Sequence, residues 1–364
     1  MAAFKVILAA GGTGGHLWPA ISLARAIRKR EPDSEFLFIG TGRPIEEKML
    51  TPEGFRRQTI RTSGLKGQGL LGALKALYYC LTSLFEARSI IRNFKPDLCF
   101  GAGGYVTVPV GLAAKMCGVP LVIHEQNSRP GLSNKVLGKA AVKIMLGFAE
   151  AAPAFRGDKT VFTGNPVRRE ITDLLPSGRS RNEYPVISIT GGSQGASGLN
   201  RLAVKALIKL KRAGSVFFKV YHQSGASDVG WITEAYKEAG LEAEVQDFYL
   251  DMASFYARSD LIVARAGALT IAELTVLGMP SILVPLPTAA DDHQTVNARR
   301  LEEHGAAVVL PEKTASPDDL TAILEELLAD GSVMEKMSQA AFRLARPEAD
   351  DDMARICLEV IGRS

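Results

Sequence analysis

The sequence predicts an α/β protein made of two doubly wound parallel-sheet domains. Three observations carry this. The chain has 364 residues, more than the roughly 100–200 of one ordinary domain. Short apolar runs alternate with amphipathic helical patterns, the mark of βαβ units around a parallel sheet. One unit is also written twice: the strand-like Lys5–Ala10 runs into Gly-Gly-Thr-Gly-Gly at 11–15, and Val186–Thr190 runs into Gly-Gly-Ser-Gln-Gly at 191–195, each ahead of a helix. A single eight-unit barrel would show no such restart half a chain later.

The elements follow in order. Phe4–Ala10 reads as a buried strand and Pro19–Arg30 as a helix, with Ile21, Ala24 and Ile27 at helical spacing and a basic end that suits the helix dipole. Phe36–Ile39 is a strand, Leu70–Phe94 a long helix, Leu98–Phe100 a strand, Val106–Cys117 a helix and Leu121–His124 a strand. These strands are continuously apolar, as strands covered on both faces must be. The join is expected near Thr163–Glu170, before the turn-rich stretch Pro176–Pro185, giving domains at about 1–165 and 166–345. In the second half Leu261–Ala264 is a strand, Ala268–Leu277 a helix ended by Gly278-Met279-Pro280, and Ser281–Pro285 a strand. Helices starting at Pro317, at Val333–Leu344 and at Ala349–Ile361 form the tail.

Hydrophobic content of 46% and charged content of 23% exclude a disordered or fibrous chain. Cys80, Cys99, Cys117 and Cys357 show no metal or redox spacing and are expected as reduced thiols. The apolar run Val6–Ala10 is too short for a secretory core, and Leu98–Ala114 is too broken by glycine and Pro109 to span a bilayer. A soluble, cytoplasmic chain is expected. The net charge of +4 hides an asymmetry: residues 1–165 carry 22 Lys+Arg against 11 Asp+Glu, and residues 166–364 carry 21 against 28. The two halves should meet different partners. Nucleic acid is not one of them, since no basic run is interleaved with aromatics.

A glycine-rich turn between strand and helix points backbone N–H groups at the positive helix end and favours an anion. Neither turn has the spacing of a P-loop or of a dinucleotide fingerprint. Gly101-Ala102-Gly103-Gly104-Tyr105 is a third such turn. His16, directly after the first turn, is either a structural histidine or a general base near neutral pH. His124-Glu125-Gln126-Asn127, at the end of an apolar strand, puts four polar groups where packing alone needs none. Glu273 sits near the start of a helix, either as a dipole partner or as an acceptor for vicinal hydroxyls. Asp291–Gln294 lies in a loop after a strand, where α/β sheets bind ligands. No acidic pair has metal-site spacing, and Asp350–Asp352 reads as a solvated face. The helix at 70–85 is apolar on more than one stripe, and Lys66, Lys75, Arg88 and Arg92 flank or interrupt it. Leu74, Leu77, Leu81 and Phe85 are therefore candidates for contact with anionic phospholipids.

Seven stretches together resemble one family. They are GGTGGHLWPA at 11–20, GAGGYVTVP at 101–109, HEQNSRPGLSNK at 124–135, TGNPVR at 163–168, GGSQGA at 191–196, ARAGALTIAEL at 264–274 and DDHQTVNA at 291–298. The chain is similar to the MurG family of bacterial peptidoglycan synthesis, whose members move N-acetylglucosamine (GlcNAc) from UDP-GlcNAc to undecaprenyl-pyrophosphoryl-N-acetylmuramoyl-pentapeptide (lipid I), giving lipid II. Thr107 departs from the Ser many members have, and the His293 position varies between His and Gln. The resemblance implies a GT-B fold, two Rossmann-like domains facing across a cleft, with the last helix, about 346–364, returning to the first domain.

The resemblance also implies roles for residues. Ser193, the Gly191–Gly195 turn and Arg168 would meet the donor diphosphate, as would Ala268, Leu269 and Thr270. The backbone at Phe248 and Tyr249 would read uracil, and Glu273 the ribose. Gln294 with His293, and Thr13, Gly14, Gly15 and Asn127, would hold the sugar end. Gly14, Gly15, Gly103, Gly104 and Tyr105 would receive the acceptor pyrophosphate. Inverting attack by the 4-hydroxyl of N-acetylmuramic acid needs a base, His16 with Glu125 as its rival. No cofactor is required, and a divalent metal would at most stimulate. The enzyme would lie peripherally on the cytoplasmic side of the inner membrane, and other cell-wall or division proteins are candidate partners. The competing readings are another GT-B sugar-nucleotide enzyme, such as a UDP-GlcNAc epimerase, and a non-catalytic UDP-sugar-binding subunit.

Overall fold

In a computed structural model, the apolar runs become the strands of two parallel sheets. Residues 3–61, 70–175, 183–192, 195–214 and 216–363 are described, with backbone alone for 70–78, 80 and 290. The first sheet holds β1 (Lys5–Ala9), β2 (Glu35–Gly40), β3 (Arg56–Thr59), β4 (Leu98–Gly101), β5 (Leu121–Glu125), β6 (Lys143–Leu146) and β7 (Thr160–Phe162). Its order is β3-β2-β1-β4-β5-β6-β7. The second holds β8 (Val186–Thr190), β9 (Lys219–Gln223), β10 (Ala243–Gln246), β11 (Leu261–Ala264), β12 (Ser281–Leu283) and β13 (Val308–Val309). Its order is β10-β9-β8-β11-β12-β13. Both place their first strand beside their fourth, so both have a switch point where ligands bind at the C-terminal strand ends.

Helices connect the strands. In the first half they are α1 (Gly14–Arg30), α2 (Pro44–Leu50), α3 (Leu70–Phe94), α4 (Thr107–Met116) and α5 (Leu132–Leu137). Then come α6 (Arg169–Thr172), α7 (Ser197–Ala213), α8 (Val229–Glu238), α9 (Met252–Ala257), α10 (Ala268–Val276) and α11 (His293–Glu303). The tail is α12 (Pro317–Ala329), α13 (Gly331–Arg343) and α14 (Ala349–Val360). The chain divides into two compact units, Met1–Pro166 with Glu348–Ser364, and Val167–Pro347.

In the first unit Val6, Ile7, Leu8 and Ala9 are all buried, so β1 is covered on both faces. One face packs Ile7, Ile39, Cys99 and Ile123 against Ile91, Val110 and Leu137 from the helices. Each such aliphatic side chain contributes about 1.5–3 kcal/mol by leaving water. The last helix, α14, lies on α1 of the same unit. Met353, Cys357 and Leu358 are buried there, and Lys29 and Arg30 face Asp351 at 3.7 and 3.8 Å. In the second unit Ile187 and Ile189 of β8 join Leu199, Leu207 and Leu210 of α7 and Leu320 and Leu324 of α12. A capping box between Ser316 and Asp319, with Pro317 at the first position, starts α12.

Two elements differ from the sequence expectation. Helix α1 begins at Gly14 rather than Pro19, which lies inside it. Proline favours a first turn; inside α1 it forgoes the bond its N–H would make to the Gly15 carbonyl. The earlier start puts His16 in the first helical turn. Strand β3 carries Arg-Arg-Gln-Thr, exposed throughout at a sheet edge, so it has no apolar pattern to read.

Candidate functional site

In the first unit, the ends of β1, β4 and β5 bring three motifs together. His16 stands half-buried after the first glycine turn. Its Nδ1 lies 3.3 Å from Gln126 Oε1. Gly103 has φ +96°, and a Cβ there would stand 2.8 Å from His16 Nδ1. Only glycine tolerates both that backbone and that approach. Gln126 Nε2 donates to the Ala102 carbonyl at 3.0 Å and reaches His124 Nδ1 at 3.0 Å. His124 Nε2 meets the Gly164 carbonyl at 3.1 Å. Burial pushes the His124 imidazole down to about 4, so it is neutral.

Glu125, the rival base, is buried and organises its own loop. Its Oε1 accepts from the Asn127 backbone at 2.9 Å. Its Oε2 accepts from the Gly131 backbone at 3.0 Å and from Asn134 Nδ2 at 2.8 Å. Asn127 is thereby held half-buried, Thr13 and Gly15 are exposed, and Tyr105 is exposed beside Gly104. One residue the motif reading missed is Glu46. It is buried and accepts from Thr41 N at 2.9 Å, Gly42 N at 2.8 Å and Gly12 N at 3.3 Å. One N–H of the first turn is therefore already taken by a carboxylate. The first-turn N–H groups of α1, at Gly14 and Gly15, have no intrahelical acceptor by helix geometry.

In the second unit the turn after β8 approaches the next strand closely. Gly195 has φ +72°, and a Cβ there would overlap the Ser224 carbonyl oxygen. Ser193 lies outside the described residues. Gln223, also missed, links two walls of this site. Its Nε2 donates to the Gly192 carbonyl at 3.0 Å, and its Oε1 accepts from Tyr249 N at 3.0 Å. The Phe248 N–H is bonded to Asp247 Oδ1 at 2.8 Å. Both N–H groups of the backbone stretch expected to read uracil are thus engaged within the protein in this structure.

Behind the turn, His222 meets Tyr236 at 2.9 Å and Asn200 Oδ1 at 3.1 Å. Burial pushes it down to about 3, so it too is neutral and structural.

Arg168 donates to Glu273 Oε1 at 2.8 Å, and Tyr256 donates to Glu273 Oε2 at 2.9 Å. Burial raises the Glu273 carboxyl, while Arg168 and the Tyr256 hydroxyl oppose that rise. Each oxygen retains a lone pair, so the carboxylate can still accept from two hydroxyls. Ala268, Leu269 and Thr270 form the first turn of α10, next to Glu273 on the same helix. Gln294 Oε1 accepts from Leu286 N at 2.9 Å, folding the loop before α11 onto itself beside His293. Asp291 and Asp292 both adopt φ of 53° there, a left-handed conformation rare outside glycine. Arg265, a further residue missed in the motif, donates to the Val284 and Pro285 carbonyls at 3.1 and 3.2 Å and pairs with Glu312. Among the described residues, no three His, Cys, Asp or Glu side chains cluster as a metal site.

In α3, Leu81 and Phe85 are 49% and 63% exposed, one helical turn apart, whereas the Leu74 and Leu77 side chains lie outside the described residues. Among the described residues, no helix is long and apolar enough to cross a membrane.

Known proteins resemble the chain throughout. Residues 6–146 match the glycosyltransferase family 28 N-terminal domain and residues 186–353 its C-terminal domain. A Pseudomonas fluorescens protein, UDP-N-acetylglucosamine--N-acetylmuramyl-(pentapeptide) pyrophosphoryl-undecaprenol N-acetylglucosamine transferase, is 43% identical over 98% of both chains. The crystal structure of Acinetobacter baumannii MurG superposes with a TM-score of 0.80 at 30% identity, covering 98% of this chain and 99% of that one. A putative UDP-N-acetylglucosamine 2-epimerase from Listeria monocytogenes gives 0.70 at 15% identity, over 100% of this chain and 98% of that one, a likeness of fold alone.

Proposed function

The chain belongs to glycosyltransferase family 28, among its MurG members with the GT-B fold, and from that premise we propose how its residues divide the work of the reaction. It is a UDP-GlcNAc-dependent glycosyltransferase that moves GlcNAc to lipid I, giving lipid II in peptidoglycan synthesis. One observation carries our assignment of the chemistry: His16 stands in the first turn of α1 with its ring seated on Gly103 and Gln126.

His16 is the general base. Its Nε2 takes the proton of the acceptor 4-hydroxyl as that oxygen forms a bond to the anomeric carbon. The bond from that carbon to the diphosphate breaks on the opposite side, and UDP departs with the electron pair. The configuration inverts. Glu125 holds the loop that presents Asn127 rather than taking the proton, because its carboxylate already collects several donors. The second unit holds the donor. Glu273, steadied by Arg168 and Tyr256, accepts the ribose hydroxyls. The N-termini of α7 and α10 offer N–H groups and dipole to the diphosphate, which stabilises the leaving charge. Gln294 and His293 face the sugar hydroxyls. Gly14, Gly15, Gly103, Gly104 and Tyr105 receive the acceptor pyrophosphate. No protein-bound metal is needed, so turnover should persist in excess chelator.

Leu81 and Phe85 rest on anionic phospholipid, which would place the enzyme peripherally on the cytoplasmic face of the inner membrane. The test of the reaction is UDP release. UDP should appear when lipid I and UDP-GlcNAc are both present, and UDP-GlcNAc alone should yield no new sugar nucleotide. Conversion of UDP-GlcNAc by itself would point to an epimerase. Binding of UDP without its release on adding lipid I would point to a non-catalytic subunit.

A further inference from the structure

We propose that Gln126 is a positioning residue that fixes the proton on His16 Nδ1 and so makes Nε2 the basic nitrogen. The proposal rests on the reading of His16 as base.

The order of hydrogens in this part of the first unit is set from its fixed ends. A backbone carbonyl can only accept. The Gly164 carbonyl lies 3.1 Å from His124 Nε2, so that nitrogen carries the proton and His124 Nδ1 carries a lone pair. The side-chain nitrogen of Gln126 faces three acceptors. They are His124 Nδ1 at 3.0 Å, the Ala102 carbonyl at 3.0 Å and the His124 carbonyl at 3.2 Å. A flipped amide would press its oxygen against two carbonyl oxygens, so only one orientation satisfies the buried groups. Gln126 Oε1 is left facing His16 Nδ1 at 3.3 Å, and an oxygen acceptor there requires a hydrogen on Nδ1. Side-chain amides hold the backbone frame: Asn165 Nδ2 donates to the Gln126 carbonyl at 2.9 Å, and Asn134 Nδ2 to the His124 carbonyl at 3.0 Å. Gly103 lets the ring sit against this arrangement. Every donor in the series meets an acceptor, and reversing any one member sets two like groups face to face.

An imidazole in water prefers the opposite tautomer, with hydrogen on Nε2, which cannot accept a proton there. Holding the less common form is therefore a catalytic requirement rather than a packing detail. Gln126 does it without charge, unlike the carboxylate that commonly orients a catalytic histidine.

The test uses the full chain labelled with ¹⁵N-histidine, with the His16 resonances assigned by their absence in His16→Gln. In the native protein His16 should show a protonated Nδ1 and a pyridine-like Nε2 when neutral. Gln126→Leu should move His16 toward the Nε2–H form and lower kcat by about 10²-fold, while KM for UDP-GlcNAc stays within about threefold. Gln126→Glu offers Nδ1 the same acceptor oxygen and should keep the tautomer, but its inner oxygen has at most one hydrogen for the three acceptors the amide nitrogen meets, so it should lower the melting temperature and retain a larger share of kcat than Gln126→Leu. It serves as the deciding variant if Gln126→Leu does not fold. A native His16 with hydrogen on Nε2 overturns the proposal. So does full kcat in Gln126→Leu, or a lost Nδ1–H signal with full turnover in Gln126→Glu. Full turnover in His16→Gln would instead remove the base assignment itself, whatever Gln126 does.

Discussion

The two units repeat one backbone device and give it different electrostatic backing. Each has strands in the same order and a glycine turn after its first strand. Under the first turn lies a buried carboxylate, Glu46, bonded to the N–H groups of Gly12, Thr41 and Gly42. Among the described residues, the groups bonded to the second turn itself are neutral: Gly192 N donates to Thr190 Oγ1 at 3.2 Å, and Gln223 donates to the Gly192 carbonyl, while the carboxylates of Asp228 and Glu312 stand one step further on, at Ser197 and Gly198 of α7. A carboxylate makes a turn less hospitable to an anion, whereas amides and hydroxyls leave the helix dipole intact. The comparison teaches that a glycine turn is a scaffold whose chemistry is set by what stands behind it. On the proposed function the first presents His16 and the second takes the diphosphate. It also accounts for the acidic balance of the second half. Its cations Arg168, half-buried, and Arg265, buried, are paired with Glu273 and Glu312, so on the proposed function local N–H groups carry much of the donor binding.

Breaking each turn in its own way should separate these roles. The largest effects are expected at the two glycines. Gly195→Ala should weaken UDP binding at least about 100-fold, since it combines a positive φ with overlap on the Ser224 carbonyl. Gly103→Ala should lower kcat by a similar factor, about 10², by displacing the His16 ring, and leave UDP affinity nearly unchanged by calorimetry. Next come the backing residues. Gln223→Leu should raise the dissociation constant of UDP about tenfold, in keeping with one or two lost hydrogen bonds. Glu46→Gln should instead destabilise the first unit by about 1–3 kcal/mol, read as a lower melting temperature with UDP affinity intact.

A smaller effect is expected from pH. Each unit buries one neutral histidine, His124 at about 4 and His222 at about 3. Both lie below the unfolded value of about 6.5. Their stabilising contribution is full above that value and is lost as pH falls through it toward the folded values, because the unfolded chain binds the extra protons. Melting temperature should therefore fall steadily below about pH 6.5. The smallest effect on chemistry is expected from Leu81→Glu with Phe85→Glu. It should reduce sedimentation with anionic vesicles while turnover of a water-soluble acceptor is retained, and unchanged sedimentation would remove α3 from the membrane contact.

The fold was legible wherever burial left a pattern. Strands covered on both faces read as apolar runs, and the glycine turns marked where each sheet begins. The exposed edge strand β3 carries no such record, and the two-residue β13 is too short to leave one. At the site, residues within motifs were legible as candidates, but their partners were not. Glu46 binds a turn 34 positions earlier in the chain, and Gln223 binds residues of two separate loops. No spacing rule links residues that only the fold brings together. The polar cluster at 124–127 was visible as a site, yet its division of labour depends on directions no sequence states. His124 turns inward to Gly164, Glu125 to its own loop, and Gln126 toward His16.

The proposed division, with the base in the first unit and the donor held by the second, is decided by UDP affinity and GlcNAc transfer to lipid I measured on one preparation of His16→Ala. The expected result is an unchanged UDP dissociation constant and a kcat lower by about 10²–10⁴-fold. Native turnover in that variant, or loss of UDP binding along with activity, would contradict it.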